Sequence, residues 1–257
     1  MIDNIFDSHA HYDDEKFDGD RNEIIEKVFS SGVCGVINCG CDVESSRKSL
    51  ELCKSFEKFF CAVGIHPHSA EDEQDMLGEV FSMVNNEKVV AVGEIGLDYH
   101  YDFSDRKTQK EVFEKQLVFA NENDFPVIVH SREATQDTME LLKKHKPKGV
   151  VHCFTGSVET AKEILSLGMY LGIGGAITFK NAVRPVESVG FIPLDRILLE
   201  TDCPYMTPVP FRGKRNDSSL IEYTARKIAE IKNVDVKTVA DVTKQNVIDL
   251  FKITDEV

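Results

Sequence analysis

His9 and His11 stand two residues apart in the run Ile5-Phe6-Asp7-Ser8-His9-Ala10-His11. On a β-strand that spacing sends both side chains to one face, where two imidazoles can chelate one metal ion. Alone, an H-x-H is weak evidence, because two incidental polar residues give the same pattern. It gains weight by recurring at the ends of similar runs. The third apolar run ends in Gly64-Ile65-His66-Pro67-His68 and the fourth in Gly93-Glu94-Ile95-Gly96. The fifth ends in His130, the sixth in His152 and the eighth in Glu200-Thr201-Asp202. Left without a metal, such groups would be buried and unsatisfied at six strand ends. His9, His11, Glu94, His130, His152 and Asp202 form a set large enough for two cations. Glu94, near the middle of the set, is the candidate bridge. Two such ions ~3.5–4 Å apart can generate hydroxide, polarise a phosphoryl or acyl oxygen and stabilise a leaving group. Imidazole suits Zn, Mn, Fe or Ni better than Mg.

The elements that must position these groups are eight short β-rich runs. They cover residues 5–11, 33–40, 59–67, 89–96, 125–131, 149–154, 169–175 and 196–202. Each is short and branched or aromatic enough for a buried parallel strand. The stretches between them read as amphipathic helices. Ile24, Ile25 and Val28 share a face before Gly32, and Phe113, Leu117 and Ala120 share another. A helix from Val158 to Leu167 opens after Ser157 and closes before Gly168. Further helices are expected over 178–190, Ile221–Ile231 and Val239–Phe251. Eight strands alternating with helices imply parallel pairing and right-handed crossovers. The expected fold is therefore an α/β TIM-type (β/α)8 barrel, one domain over residues 1–257, with its site at the C-terminal mouth. An open doubly wound sheet would want a glycine-rich turn after the first strand, and that strand ends in His-Ala-His.

Composition narrows the partners. The 257 residues carry a formal net charge of −14, which argues against broad nucleic-acid binding but not against a small site where metal ions supply positive charge. No run of apolar residues is long enough to span a membrane. The acidic start MIDNIFDSHAHYDDEK lacks the basic and apolar regions of a leader, so a cytoplasmic location is expected. Seven cysteines, mostly in apolar runs, read as reduced, buried thiols. The lone pair Cys39-x-Cys41 carries little weight as a metal site. His100 and His145 lie outside the register and read as surface groups, His145 on a helix. His68 is either a partner to a ligand or a loop residue. Asp98 and Arg132 either orient ligands or substrate or form an ordinary ion pair. The polar loop 204–219 holds three of the eight prolines, as a stiff cover over the mouth would. A monomer is compatible with these features, and the oligomeric state stays open.

The whole chain resembles the TatD family of metal-dependent deoxyribonucleases, within the amidohydrolase-like barrels. The resemblance rests on Asp7-Ser8-His9-Ala10-His11, Gly64-Ile65-His66-Pro67-His68 and Gly93-Glu94-Ile95-Gly96-Leu97-Asp98-Tyr99. It continues through Pro126-Val127-Ile128-Val129-His130-Ser131-Arg132, His152-Cys153-Phe154-Thr155-Gly156, Glu200-Thr201-Asp202-Cys203-Pro204 and Pro210-Phe211-Arg212-Gly213-Lys214-Arg215-Asn216. It implies that His9, His11, Glu94 and Asp202 hold one divalent ion, and Glu94, His130 and His152 the other. It implies Mg as a further metal candidate, His66 as a phosphate contact and Arg212 in a loop closing over the mouth. The implied reaction is hydrolysis of DNA phosphodiesters, of exonuclease type, with Asp202 accepting a proton or orienting water. The family's proline soon after the loop asparagine is replaced here by Asp217-Ser218-Ser219. Two rival readings remain open. One is a D-aminoacyl-tRNA deacylase or other amidohydrolase on the same site, against which the basic loop Arg212–Arg215 favours a phosphate-bearing substrate. The other is a metal-binding barrel without catalysis, against which the complete ligand set argues.

Overall fold

Runs of branched and aromatic residues, buried on both faces, form eight parallel strands in the computed structural model, which describes residues 2–254. They are β1 (Ile5–Ala10), β2 (Val33–Cys39), β3 (Phe59–Val63), β4 (Val89–Asp98), β5 (Val127–Arg132), β6 (Gly149–Val151), β7 (Tyr170–Ile173) and β8 (Ile197–Leu199). Each pairs with the next in chain order. The barrel closes where Ala10 bridges Cys203 in parallel. There Asp202 N–H donates to the His9 carbonyl (2.9 Å) and His11 N–H to the Cys203 carbonyl (2.8 Å).

The helices are α1 (Arg21–Phe29), α2 (Val43–Ser55), α3 (Ala70–Glu73), α4 (Leu77–Met83), α5 (Arg106–Glu122), α6 (Thr135–His145), α7 (Val158–Ser166), α8 (Val183–Phe191), α9 (Ile221–Lys232) and α10 (Val236–Phe251). Local chemistry starts several of them. Asp42 caps α2, Asp105 caps α5, Asp235 caps α10, and Ser157 caps α7 as its position in the sequence suggested. Such a cap satisfies N–H groups that have no partner within the helix. The helix expected over 178–190 begins later, at Val183. Pro185 fits only in a first turn, where its missing N–H costs nothing. Among the described residues no helix is long and apolar enough to cross a membrane.

Two apolar layers hold the barrel. Ile5, Val36, Cys61, Val63, Val127, Val129, Ile197 and Leu199 pack outward against the helices. Their strand neighbours Phe6, Ile37, Ala62, Ile128, Val150 and Leu198 pack inward, with Val247, Leu250 and Phe251 of α10. This alternation is the ordinary period of two. Toward the mouth it breaks in β1 and β4, at bulges that insert one extra residue. In β1, Asp7 pairs with Val36 but Ala10 with Asn38. In β4, Val92 pairs with Val127 but Ile95 with Val129. Each bulge flips the side-chain phase beyond it. Straight alternation from Phe6 would point Ser8 inward and His9 outward. Straight alternation from Ala91 would bury Ile95 and Leu97 inside. Instead His9, Glu94 and Asp98 face the barrel axis, and Ile95 and Leu97 join the outer layer.

Three strands end three or four residues before their apolar runs do. β3 stops at Val63, β6 at Val151 and β8 at Leu199, so His66, His152 and Asp202 stand in the loops that follow. Cys153 and Asp202 adopt left-handed backbone (φ 45° and 57°), which no strand can continue.

Candidate metal centre

The loops after β1, β3, β4, β5, β6 and β8 converge at the C-terminal mouth. His9 and His11 point their Nε2 atoms at one another, 3.0 Å apart. Glu94 Oε2 lies 3.3 Å from the first and 3.4 Å from the second. Asp202 Oδ1 lies 3.8 and 3.4 Å from the same two nitrogens. Ligands ~2.0–2.2 Å from a tetrahedral cation stand about 3.3–3.6 Å apart, so these four atoms have the spacing of a coordination sphere.

The other oxygen of Glu94 serves a second group. Oε1 lies 2.8 Å from His152 Nε2, 2.9 Å from His130 Nδ1 and 3.6 Å from His66 Nε2. His130 Nδ1 and His152 Nε2 are 3.2 Å apart. The rings of His9 and His152 stack at 4.0 Å, joining the two groups. The His, Glu and Asp sets able to hold an ion are His9–His11–Glu94, His9–His152–Asp202 and His66–Glu94–His130, among the described residues. Together they include His66 and all six residues read from the sequence as candidate ligands. His66, expected as a phosphate contact, thus also stands within ligand distance of the cluster.

Tautomers show which way the lone pairs face. His11 Nδ1 contacts the Cys39 carbonyl at 2.9 Å. A carbonyl only accepts, so Nδ1 carries the proton and Nε2 turns a lone pair toward Glu94 and Asp202. His130 Nε2 donates to Asp98 Oδ2 at 3.1 Å, which turns Nδ1 toward Glu94 in the same way. A ring nitrogen and a carboxylate oxygen at these distances need positive charge between them, a proton when no ion is bound. A divalent cation supplies it, and the residues present fit one.

The charges respond to this crowding. Burial works to raise the Glu94 carboxyl, but His152, His66 and His9 hold it well below the usual range. Burial pushes His9 down to about 4 and His66 well below its ordinary value. Burial also opposes charge on His130, yet hydrogen bonds to Asp98 and Glu94 lift it to about 9. His11 is likewise raised against burial, by Cys41 and Asp202.

Several participants were not assigned a role from the sequence alone. Asp98 is 1% exposed and accepts from His130, from His68 Nε2 (3.0 Å) and from the backbone N–H groups of His100 and Tyr101 (2.9 and 3.0 Å). It orients His130, and His68 is its second partner. Glu200 is fully enclosed, accepts Cys153 N–H at 2.5 Å and is pushed up to about 8 by burial. Gly172 makes room for it, since a Cβ there would lie 2.1 Å from Glu200 Oε2. Asp7 ties β1 to the last loop through Thr201 Oγ1 and Ser218 Oγ, each at 2.6 Å. The Cys41 thiol lies 3.9 Å from Glu94 Oε2, and burial pushes it up to about 12. All seven cysteines are free. For Asp98 the sequence left open an orienting role or an ordinary ion pair, and only their acidity inside apolar runs signalled Asp7 and Glu200.

The basic loop divides in a way its sequence did not reveal. Arg215 forms two bonds to Asp20 (2.8 and 2.6 Å) and one to the Lys16 carbonyl (2.6 Å), so it clamps the loop instead of facing a ligand. Arg212 is exposed, with its guanidinium 3.9 Å above the Phe179 ring. Buried Asn216 pins the loop through the carbonyls of Thr201 (3.0 Å) and Tyr205 (2.7 Å). Asp217, where the expected proline is missing, caps the turn Ser218–Leu220. His100 pairs with Glu133 at the surface (2.8 Å), whereas His145 is half-buried against Glu114 (2.7 Å).

An eight-stranded barrel with imidazoles and carboxylates gathered at its C-terminal mouth has the architecture of a metal-dependent hydrolase. A family model described as TatD related DNase matches residues 6–252. The chain belongs to the TatD family of metal-dependent hydrolases. It is 43% identical over 254 residues to the uncharacterized metal-dependent hydrolase YabD of Bacillus subtilis, covering 97% of this chain and 99% of that protein. It is 29% identical over 259 residues to the 3'-5' ssDNA/RNA exonuclease TatD of Salmonella typhimurium, covering 97% and 99%. The crystal structure of the TatD homologue YjjV of Escherichia coli superposes with a TM-score of 0.92, at 31% identity over 99% of this chain and 100% of that one.

Proposed function

We propose that the protein is a two-cation phosphodiesterase that trims single-stranded DNA from its 3′ end. The observation that carries the two-cation reading is the division of Glu94, with Oε2 facing His9 and His11 and Oε1 facing His130 and His152. The exonuclease reading draws on the activity named for the Salmonella relative. His9, His11, Asp202 and Glu94 Oε2 would hold one ion, and Glu94 Oε1, His130 and His152 the other. Bound divalent cations would supply Lewis acidity and charge neutralisation at a phosphodiester.

The chain's own groups do the rest. The Asp202 side chain is 17% exposed against 4% for Glu94, so Asp202 is the carboxylate that meets water from the mouth and takes its proton. His66, beside Glu94 Oε1, donates to a phosphoryl oxygen. Arg212, propped on Phe179, contacts a phosphate further along the strand. Asp98 keeps His130 in one tautomer, a common arrangement behind metal-binding histidines.

The test is a direct comparison of substrates. Metal-reconstituted protein is incubated with end-labelled single-stranded DNA, duplex DNA and D-aminoacyl-tRNA. Stepwise shortening of the single strand from its 3′ end is the expected result. Deacylation of the charged tRNA faster than any DNA cleavage would replace this reading with the deacylase.

A further inference from the structure

The loop after β4 carries two aromatic side chains into solvent. Tyr101 is 48% exposed and Phe103 66%, although burying such rings is what ordinarily stabilises a fold. The two rings are stacked, with centroids 5.3 Å apart and planes 7° from parallel. His68 stands edge-on to both, at 5.5 and 4.9 Å. The Arg132 guanidinium lies over Tyr101 at 4.7 Å. These neighbours brace the stacked pair as one aromatic wall.

One carboxylate ties this wall to the metal centre. Asp98 Oδ1 accepts the Tyr101 N–H, while Oδ2 accepts from His68 and from His130. The His68 ring is 6.3 Å from that of His130 on one side and 4.9 Å from that of Phe103 on the other. A buried group at the heart of the site therefore also sets the position of the exposed rings.

We propose that Tyr101 and Phe103 are a stacking platform for an unpaired nucleobase of the substrate, next to the phosphate held at the cluster. This rests on the phosphodiesterase reading above. A net charge of −14 gives no long-range attraction to a phosphate backbone, so contacts that do not depend on charge gain weight. Stacking needs no charge, tolerates every base and requires that the base be unpaired. The platform thus selects single strands without selecting sequence.

The experiment pairs a protein change with a substrate change. Wild type and the double variant Tyr101→Ala/Phe103→Ala are compared on a single-stranded oligonucleotide and on the same strand with an abasic site near its 3′ end. Bound metal per chain is measured in both proteins to confirm an intact site. Wild type is expected to lose about tenfold in kcat/KM on the abasic strand, the scale of one stacked base. The double variant is expected to treat both strands alike, and Tyr101→Phe to behave as wild type. A 2-aminopurine placed near the 3′ end of a strand with cleavage-resistant phosphorothioate linkages should be quenched by metal-loaded wild type and not by the double variant. Undiminished base preference or undiminished quenching in the double variant overturns the platform. If wild type cleaves no DNA at all, the phosphodiesterase reading falls, and the quenching still decides for or against stacking.

Discussion

Replacing Glu94 by Gln keeps its volume but removes the charge shared between two histidine groups. Its oxygens stand 2.8–3.4 Å from His9, His11, His130 and His152. Loss of either histidine pair leaves one group intact, whereas loss of the shared charge weakens both. Glu94→Gln is therefore expected to bind less metal, by elemental analysis, than any single-histidine variant. Retention of two ions per chain would rule out bridging. Asp98 acts one step back. Without its carboxylate, His130 loses the acceptor that fixes its tautomer. Asp98→Asn is expected to weaken metal binding by about 10–100-fold, the usual cost of losing such a partner. Competitive titration with a chromophoric chelator measures this, and an unchanged affinity would make Asp98 a loop anchor alone.

At the scale of elements, the bulges in β1 and β4 turn His9, Glu94 and Asp98 toward the barrel axis, and Gly96 shows how tightly that geometry is packed. Its φ is 147°, and a Cβ there would lie 1.9 Å from the His130 carbonyl oxygen. Gly96→Ala forces β4 and β5 apart at the bulge. The expected result is a destabilised protein, by about 2 kcal/mol or more in urea unfolding, given both the backbone strain and the clash. Stability equal to wild type would mean that the strands can shift without cost. The last loop offers a second comparison. Arg215 spends its guanidinium on Asp20 and Lys16, while Arg212 stands free over Phe179. Arg215→Ala is expected to lower Tm and open the loop to proteases. Arg212→Ala is expected to leave Tm unchanged and raise KM for oligonucleotides several-fold. Equal Tm losses in the two variants would refute this division.

At the scale of the whole molecule, the protein is acidic and the proposed substrate is a polyanion. Repulsion from a net charge of −14 reaches only about 8–10 Å at physiological salt, so binding is governed by local contacts. On the proposed reading, two cations and Arg212 would neutralise few phosphates. The oligonucleotide affinity should then fall with salt at a log–log slope on the order of −2 or shallower, as for two or three phosphates on a single strand. A slope near −5 would mean that some other basic surface binds the strand.

The residue types at the strand ends, and the repetition of β-run and helix eight times, were legible in the sequence. They sufficed for the barrel, because parallel strands joined by right-handed crossovers leave few other topologies. They sufficed also for the mouth as the meeting place of His9, His11, Glu94, His130, His152 and Asp202, because a parallel barrel brings all its strand ends together. What the chain alone did not reveal was phase. Counting by twos from Phe6 or Ala91 sends His9 and Glu94 to the wrong face, and two bulges reverse them. Nor did it reveal that Asp98 would stand behind His130, or that Arg215 would be consumed by Asp20. Strand register and ion-pair choice depend on neighbours far away in the chain, since a bulge forms only where the paired strand and the layer behind it favour the extra residue. Those energies exist only once the barrel has closed.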